Sequence, residues 1–130
     1  MINKVKVNRG DIYFVTLTGN GSVQSGLRPV VVISNNVNNL HSSVITVVPC
    51  TSKLKKLPVH VDLSSECGLK RKTQVMCEQI VTIEKNSLVG FAGKVTQQDM
   101  KKIEQAMLIQ LGFGGGFGLP QVFLYTFIKN

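Results

Sequence analysis

Apolar residues in this chain come in short runs punctuated by Gly, Asn, Ser and Pro, a spacing that favours strands over helices. Asp11–Leu17 follows Gly10 and is rich in β-branched and aromatic residues, so it reads as a strand. Residues 18–26 carry Gly, Ser and Asn and read as a loop. Arg28–Ser34 is apolar at successive positions, hence on both faces, the pattern of a central strand. Asn35–Ser42, with four Asn, reads as a turn or a short helix, and Ser43–Cys50 as another apolar strand. Leu57–Leu63 alternates and so reads as half-exposed; Pro58 places it at an edge or in the first residues of a strand. Thr73–Ile83 reads as one long strand and Gly90–Val95 as a short one.

The period changes at Thr96. Thr96-Gln97-Gln98-Asp99 resembles a capping box with Asp in place of the usual Glu or Gln. Met100, Ile103, Met107 and Leu111 then recur at helical spacing, and Gly112 suits the residue after a helix end. This predicts one amphipathic helix with a core-facing stripe. Closely spaced strands followed by one helix predict a mainly β fold with α, a curled sheet or small barrel. Beyond the helix the sequence changes character. Gly114–Gly116 is a spacer, and Val122–Ile128 is uncharged and strongly β-prone. The expected organisation is a barrel domain over residues 1–112 and a Gly-rich, hydrophobic C-terminal extension over 113–130. The extension is expected to pair with a sheet edge, pack on a partner, or lack a fixed structure, since a free run of this kind aggregates.

A length of 130 residues suits one domain with a real core. Its three cysteines, Cys50, Cys67 and Cys77, are odd in number and contain no CxxC, which argues against a disulfide framework and a zinc site. No apolar run reaches the roughly 18 residues of a membrane helix, and the N-terminus shows no signal peptide, so a cytoplasmic protein without membrane contact is expected. Fifteen Lys and Arg against seven Asp and Glu give a net charge of +8, which favours polyanionic partners such as nucleic acid. The cations cluster at Lys53, Lys55 and Lys56 and again at Lys70, Arg71 and Lys72. Aromatic residues are few and Trp is absent, so no stacking platform for single strands stands out.

Two stretches combine strand-like apolar runs with groups suited to an anion. Arg28 opens the run Pro29–Ile33, and Thr51 and Lys53 close the run Val47–Cys50. Arginine presents five donors in a rigid fork that matches phosphate oxygens. Held at adjacent strand ends, Arg28 and Thr51 would form an anion site on a rigid scaffold. A purely structural Arg28 would instead pair with an acid such as Asp11, and a lone Thr51 would serve as a turn residue. A Cys50–His pair is the nucleophilic alternative.

These segments, in their order, resemble the MazF/PemK family of endoribonuclease toxins from toxin–antitoxin systems. The resemblance spans roughly residues 7–112. It is carried by Arg9-Gly10-Asp11-Ile12-Tyr13, Gly26-Leu27-Arg28-Pro29-Val30, Val48-Pro49-Cys50-Thr51-Ser52, Leu57-Pro58-Val59-His60-Val61 and Glu78-Gln79-Ile80-Val81-Thr82-Ile83. It implies an SH3-like barrel of PemK/CcdB type with a C-terminal helix, and a homodimer. It implies cleavage of single-stranded RNA at short sequences with no metal or cofactor. It also implies a cognate antitoxin whose acidic segment covers the RNA groove. The family's catalytic Arg and Thr fall on Arg28 and Thr51. Its groove residues fall on Thr18, Asn35, Ser52, Lys53, Leu57 and Gln79. The tail beyond Gly112 departs from the family pattern.

The chemistry is consistent with those residue types. In RNA the 2′-OH attacks the neighbouring phosphorus and expels the 5′-oxygen, and negative charge builds on the phosphate oxygens. A fixed guanidinium stabilises that charge. A literal Arg base is physically awkward, because Arg stays protonated to a pH above about 12. His41 and His60 are the alternative proton carriers. Two other functions suit the same composition: a CcdB-like toxin that binds DNA gyrase, and a nucleic-acid-binding barrel without activity.

Overall fold

The computed structural model describes residues 6–113. The apolar runs become seven antiparallel strands: β1 Asp11–Thr18, β2 Ser25–Val32, β3 Val44–Thr51, β4 His60–Asp62, β5 Gln74–Met76, β6 Val81–Glu84 and β7 Leu88–Lys94. Helix α1 (Asn36–His41) joins β2 to β3, and helix α2 (Gln97–Leu111) follows β7. The strand order is β4-β5-β3-β2-β1-β7, with β6 also paired to β3. The mainly β fold with a C-terminal helix is therefore as the sequence predicts. So are the central position of β2 and the edge position of β4.

Alternation along the central strands divides the core in two. Ile12, Val31, Val48 and Cys50 join one cluster with Val61, Val75, Ile103 and Ala106. Their neighbours Tyr13, Val15, Val30, Val32, Ile45 and Val47 join a second cluster, which Val7 and Leu17 complete. Helix α2 covers the first cluster. Of the predicted stripe Ile103 is buried, Met100 and Met107 pack at the margin and Leu111, at the helix end, is exposed; Ala106 is buried beside Ile103. Burying one such side chain is worth roughly 1.5–3 kcal/mol, so packing rather than intrinsic propensity holds the helix down.

Three details depart from the sequence reading. The pairing of β1 with β2 runs out to Thr18 and Ser25, so the expected loop 18–26 is shorter. Thr96 caps α2 by accepting from the Asp99 N–H at 3.1 Å, but the capping box is not reciprocal. The Asp99 carboxylate accepts instead from the Ser64 backbone N–H at 2.7 Å, which ties the β4–β5 connection to the helix. Finally, Thr73–Ile83 is not one strand. An unbroken ladder from Cys50–Val75 would set Val47 opposite Glu78, whereas Val47 faces Val81. The extra residues form a turn, closed by Gln79 N–H to Met76 C=O at 3.1 Å, that directs Glu78 toward His60. The tail expected at 113–130 lies outside the described residues save Phe113, which is exposed beyond α2.

A candidate anion-binding cleft

The site arises where the β2–β3 ladder ends. Along β2 and β3, Val32 faces Val47, Val31 faces Val48 and Val30 faces Pro49. The same register carried two residues further sets Arg28 opposite Thr51. The β2–β3 ladder stops before that point, while on its other edge β3 goes on to pair Cys50 with Val75 and Thr51 with Gln74. Strands β2 and β3 part, and a cleft of about 540 Å³ lies in the gap. Arg28, Thr51 and Ser52 line it together with Phe14, Leu27, Pro29 and Phe91. The connection from Gly68 to Arg71, and Thr73, complete the wall.

Arg28 is exposed, and its Nε donates to the Ser25 carbonyl at 3.1 Å. That bond orients the guanidinium from its own strand and leaves the terminal nitrogens for a ligand. Among the described residues no carboxylate pairs with Arg28. The structural alternative of an Arg28–Asp11 pair is not realised: Asp11 accepts from the Asn8 N–H at 2.8 Å and lies 3.6 Å from the Lys94 ammonium. Thr51 is partly exposed, and its Oγ1 accepts from the Lys53 backbone N–H at 3.0 Å. This small turn occupies one lone pair and leaves the hydroxyl proton free to donate.

The other sequence-derived positions are spread more widely. Ser52 lines the cleft, but Lys53 and Leu57 do not. Lys53 is exposed on the β3–β4 loop, and Leu57 packs against the core. Asn35 caps α1, accepting from the Asn38 N–H at 2.8 Å. Thr18 and Gln79 line a separate groove of about 320 Å³. The Gln79 amide is occupied there, accepting from the Gln24 N–H at 2.9 Å and donating to the Ser22 carbonyl at 3.0 Å. It splints the β1–β2 loop.

Sequence reasoning missed two kinds of cleft residue. Phe14 and Phe91 line the cleft and are 36% and 62% exposed, so an aromatic surface exists where composition showed none. Phe14 was legible as an outward residue, because it alternates with buried Tyr13 and Val15. Phe91 was not, because only the β1–β7 pairing brings it alongside Tyr13, edge-on at 5.5 Å. Lys70 and Arg71 were visible as a basic run, with nothing in the local sequence to aim them at Arg28.

Neither histidine lines the cleft. His41 is exposed at the end of α1. The His60 side chain is 3% exposed, with Nε2 2.8 Å from Glu78 and Nδ1 3.1 Å from Gln74 Oε1. Gln74 also grips the loop, accepting from the Lys55 N–H and donating to the Lys55 carbonyl, each at 2.9 Å. This network braces the β3–β4 loop beside Thr51.

Cys50 lines the cleft but is fully buried, and burial together with the neighbouring thiols of Cys67 and Cys77 pushes its pKa up. Burial and the nearby Glu78 push the Cys77 thiol up to about 12. Neither is a ready thiolate, so a Cys50–His nucleophile is not supported. The native protein is expected to react with an alkylating reagent near pH 8 far more slowly than the unfolded chain, in which all three thiols are open. Rapid native labelling of Cys50 would restore it as a nucleophile. The folded chain keeps protons that the unfolded chain releases. The fold is therefore expected to weaken as pH climbs from the ordinary thiol value of 9.0 toward about 12.

A curled antiparallel sheet with a free guanidinium and a hydroxyl at parting strand ends makes a small β protein with groups suited to an anion. Comparison with known proteins makes this specific. Residues 8–111 match the model of the PemK-like, MazF-like toxins of type II toxin–antitoxin systems, and the chain belongs to that family. It is 37% identical over 109 residues to Endoribonuclease EndoA of Bacillus subtilis, covering 81% of this chain and 94% of that protein. It is 34% identical over 110 residues to Endoribonuclease MazF of Staphylococcus saprophyticus, covering 82% and 92%. Its fold matches that of a mycobacterial endoribonuclease solved in complex with its cognate antitoxin, with a TM-score of 0.72, 29% identity and coverage of 82% and 95%.

Proposed function

We propose that this endoribonuclease toxin cuts single-stranded RNA at short preferred sequences without a metal ion or cofactor. It works as a homodimer and is restrained by a cognate antitoxin whose acidic, extended segment lies over the cleft. The observation that carries this reading is the cleft itself, lined by Arg28, whose guanidinium has no carboxylate partner among the described residues, and by Thr51, whose hydroxyl proton is free to donate. The 2′-oxygen attacks phosphorus, the P–O5′ bond breaks, and a 2′,3′-cyclic phosphate and a 5′-hydroxyl result. Arg28 holds the non-bridging oxygens as their charge grows, and Thr51 donates to the same phosphate. Water takes the 2′ proton and supplies the 5′ proton, since no imidazole or thiolate reaches the cleft. Among the described residues no group of three His, Cys, Asp or Glu side chains converges as metal ligands.

The test is incubation of the purified protein with a long unstructured RNA in EDTA, with the ends mapped. Discrete cuts are expected. Absence of cuts would transfer the reading to a binding toxin, and a gyrase assay would follow. Thr51→Ala is expected to lower the cleavage rate by about tenfold to a hundredfold with little change in RNA affinity. A parallel fall in affinity and rate would make Thr51 a ground-state contact instead.

A further inference from the structure

The chain carries two basic runs, and the fold treats them differently. Lys53, Lys55 and Lys56 sit on the β3–β4 loop and do not line the cleft. Lys70 and Arg71 do, on the same wall as Phe91 and facing the gap that Arg28 and Thr51 share. Both are exposed, and among the described residues no carboxylate pairs with either. Their placement is built rather than incidental. The connection that carries them starts at Ser64, whose N–H is held by Asp99 of α2 at 2.7 Å. It then passes so close to β7 that a Cβ on Gly93 would lie 2.0 Å from the Cys67 carbonyl oxygen. Gly68 turns the chain with φ of +100°, a conformation that favours glycine. After the cations, the Thr73 hydroxyl donates to the Arg71 carbonyl at 2.8 Å, and β5 begins. The backbone bearing the two charges is thus anchored to α2, β7 and β5.

We infer that Lys70 and Arg71 form a second phosphate subsite, which takes the RNA backbone flanking the bond that Arg28 and Thr51 address. Phe14 and Phe91 are both exposed and both line the cleft, and they supply apolar surface beside which the intervening nucleotide passes. The ligand is a single strand rather than a duplex, because a base already paired and stacked offers no free face to an aromatic side chain. This inference rests on the ribonuclease reading above. It adds that ground-state binding and transition-state stabilisation are divided between two groups of cations: Lys70 and Arg71 hold the strand, and Arg28 acts at the reacting phosphate.

The test uses a short single-stranded oligonucleotide with one cleavable ribonucleotide, cut by wild type, Lys70→Ala/Arg71→Ala and Lys101→Ala/Lys102→Ala. The last pair removes equal charge from the exposed face of α2. Loss of the subsite is expected to raise KM by about tenfold or more at low salt while kcat stays within about twofold. The slope of log affinity against log salt should shrink by about 0.7 for each phosphate released. The α2 variant should match wild type. Methylphosphonates placed singly at each flanking linkage should then weaken wild type at one position and leave the Lys70/Arg71 variant indifferent there. Equal KM and salt slope in wild type and the Lys70/Arg71 variant would overturn the subsite while leaving the ribonuclease reading intact. So would equal losses in both double variants, which would indicate general charge steering. Failure of wild type to cleave at all would remove the reading on which the subsite rests.

Discussion

Replacing Arg28 by alanine is expected to lower RNA cleavage by at least about a hundredfold, the size of effect seen when one oxyanion donor is removed. The melting temperature should stay within about 3 °C of wild type, as for surface changes away from packed features. Both halves of this expectation come from the same geometry. Arg28 is exposed, its one protein bond is to the Ser25 carbonyl, and no ion pair is lost with it. The fold therefore gives up little. On the proposed function the reacting phosphate gives up one of the two guanidinium groups that line the cleft among the described residues, the other being that of Arg71. Arg28→Lys should rescue the charge but not the paired donors, and so recover only part of the rate. Cleavage left unchanged in a folded Arg28→Ala protein would sink the assignment. A large fall in melting temperature would show that Arg28 is structural.

The second large effect lies in the core and should spare the chemistry. Ile103→Ala is expected to destabilise the protein by about 2–5 kcal/mol, the range for deleting a buried aliphatic side chain. For a domain of this size that lowers the melting temperature by roughly 10 °C or more. Ile103 is fully buried at the middle of α2, packed with Ala106 against the cluster that includes Val48, Val61 and Val75. It is the residue through which the helix covers that half of the core. Well below the new melting point, kcat should be close to wild type, because α2 does not line the cleft. A loss under about 1 kcal/mol would mean that the cavity collapses at little cost, and that the Asp99–Ser64 contact holds the helix instead.

The two experiments separate what this small protein combines. Its core stabilises a curled sheet whose central strand β3 pairs β2 on one edge and β6 and β5 on the other. The cleft lies where the β2–β3 ladder ends. There the two strands part and their end residues face solvent. A group placed there is held by regular backbone on one side and is open to a ligand on the other.

Most of the architecture was determined by the sequence itself. Period-two and continuous apolar runs specify where strands lie, because side-chain direction alternates along an extended chain. The stripe from Met100 to Leu111 specifies a helix for the same reason at a different period. Arg28 and Thr51 were legible as candidate anion ligands from residue type and from their places at strand ends. The tertiary structure alone decided what those residues meet. The pairing register sets Arg28 and Thr51 across one gap, and strand contacts bring Phe91 to it from a distant part of the chain. It also assigns the basic runs different surroundings, placing Lys70 and Arg71 in the cleft and Lys53 outside it. Glu78 is turned toward His60 by a shift in pairing along β3, which no local pattern announces. Periodicity encodes which face of an element is buried, and it is a local property. Register and strand order depend on long-range packing, so the company a side chain keeps is settled only when the sheet closes.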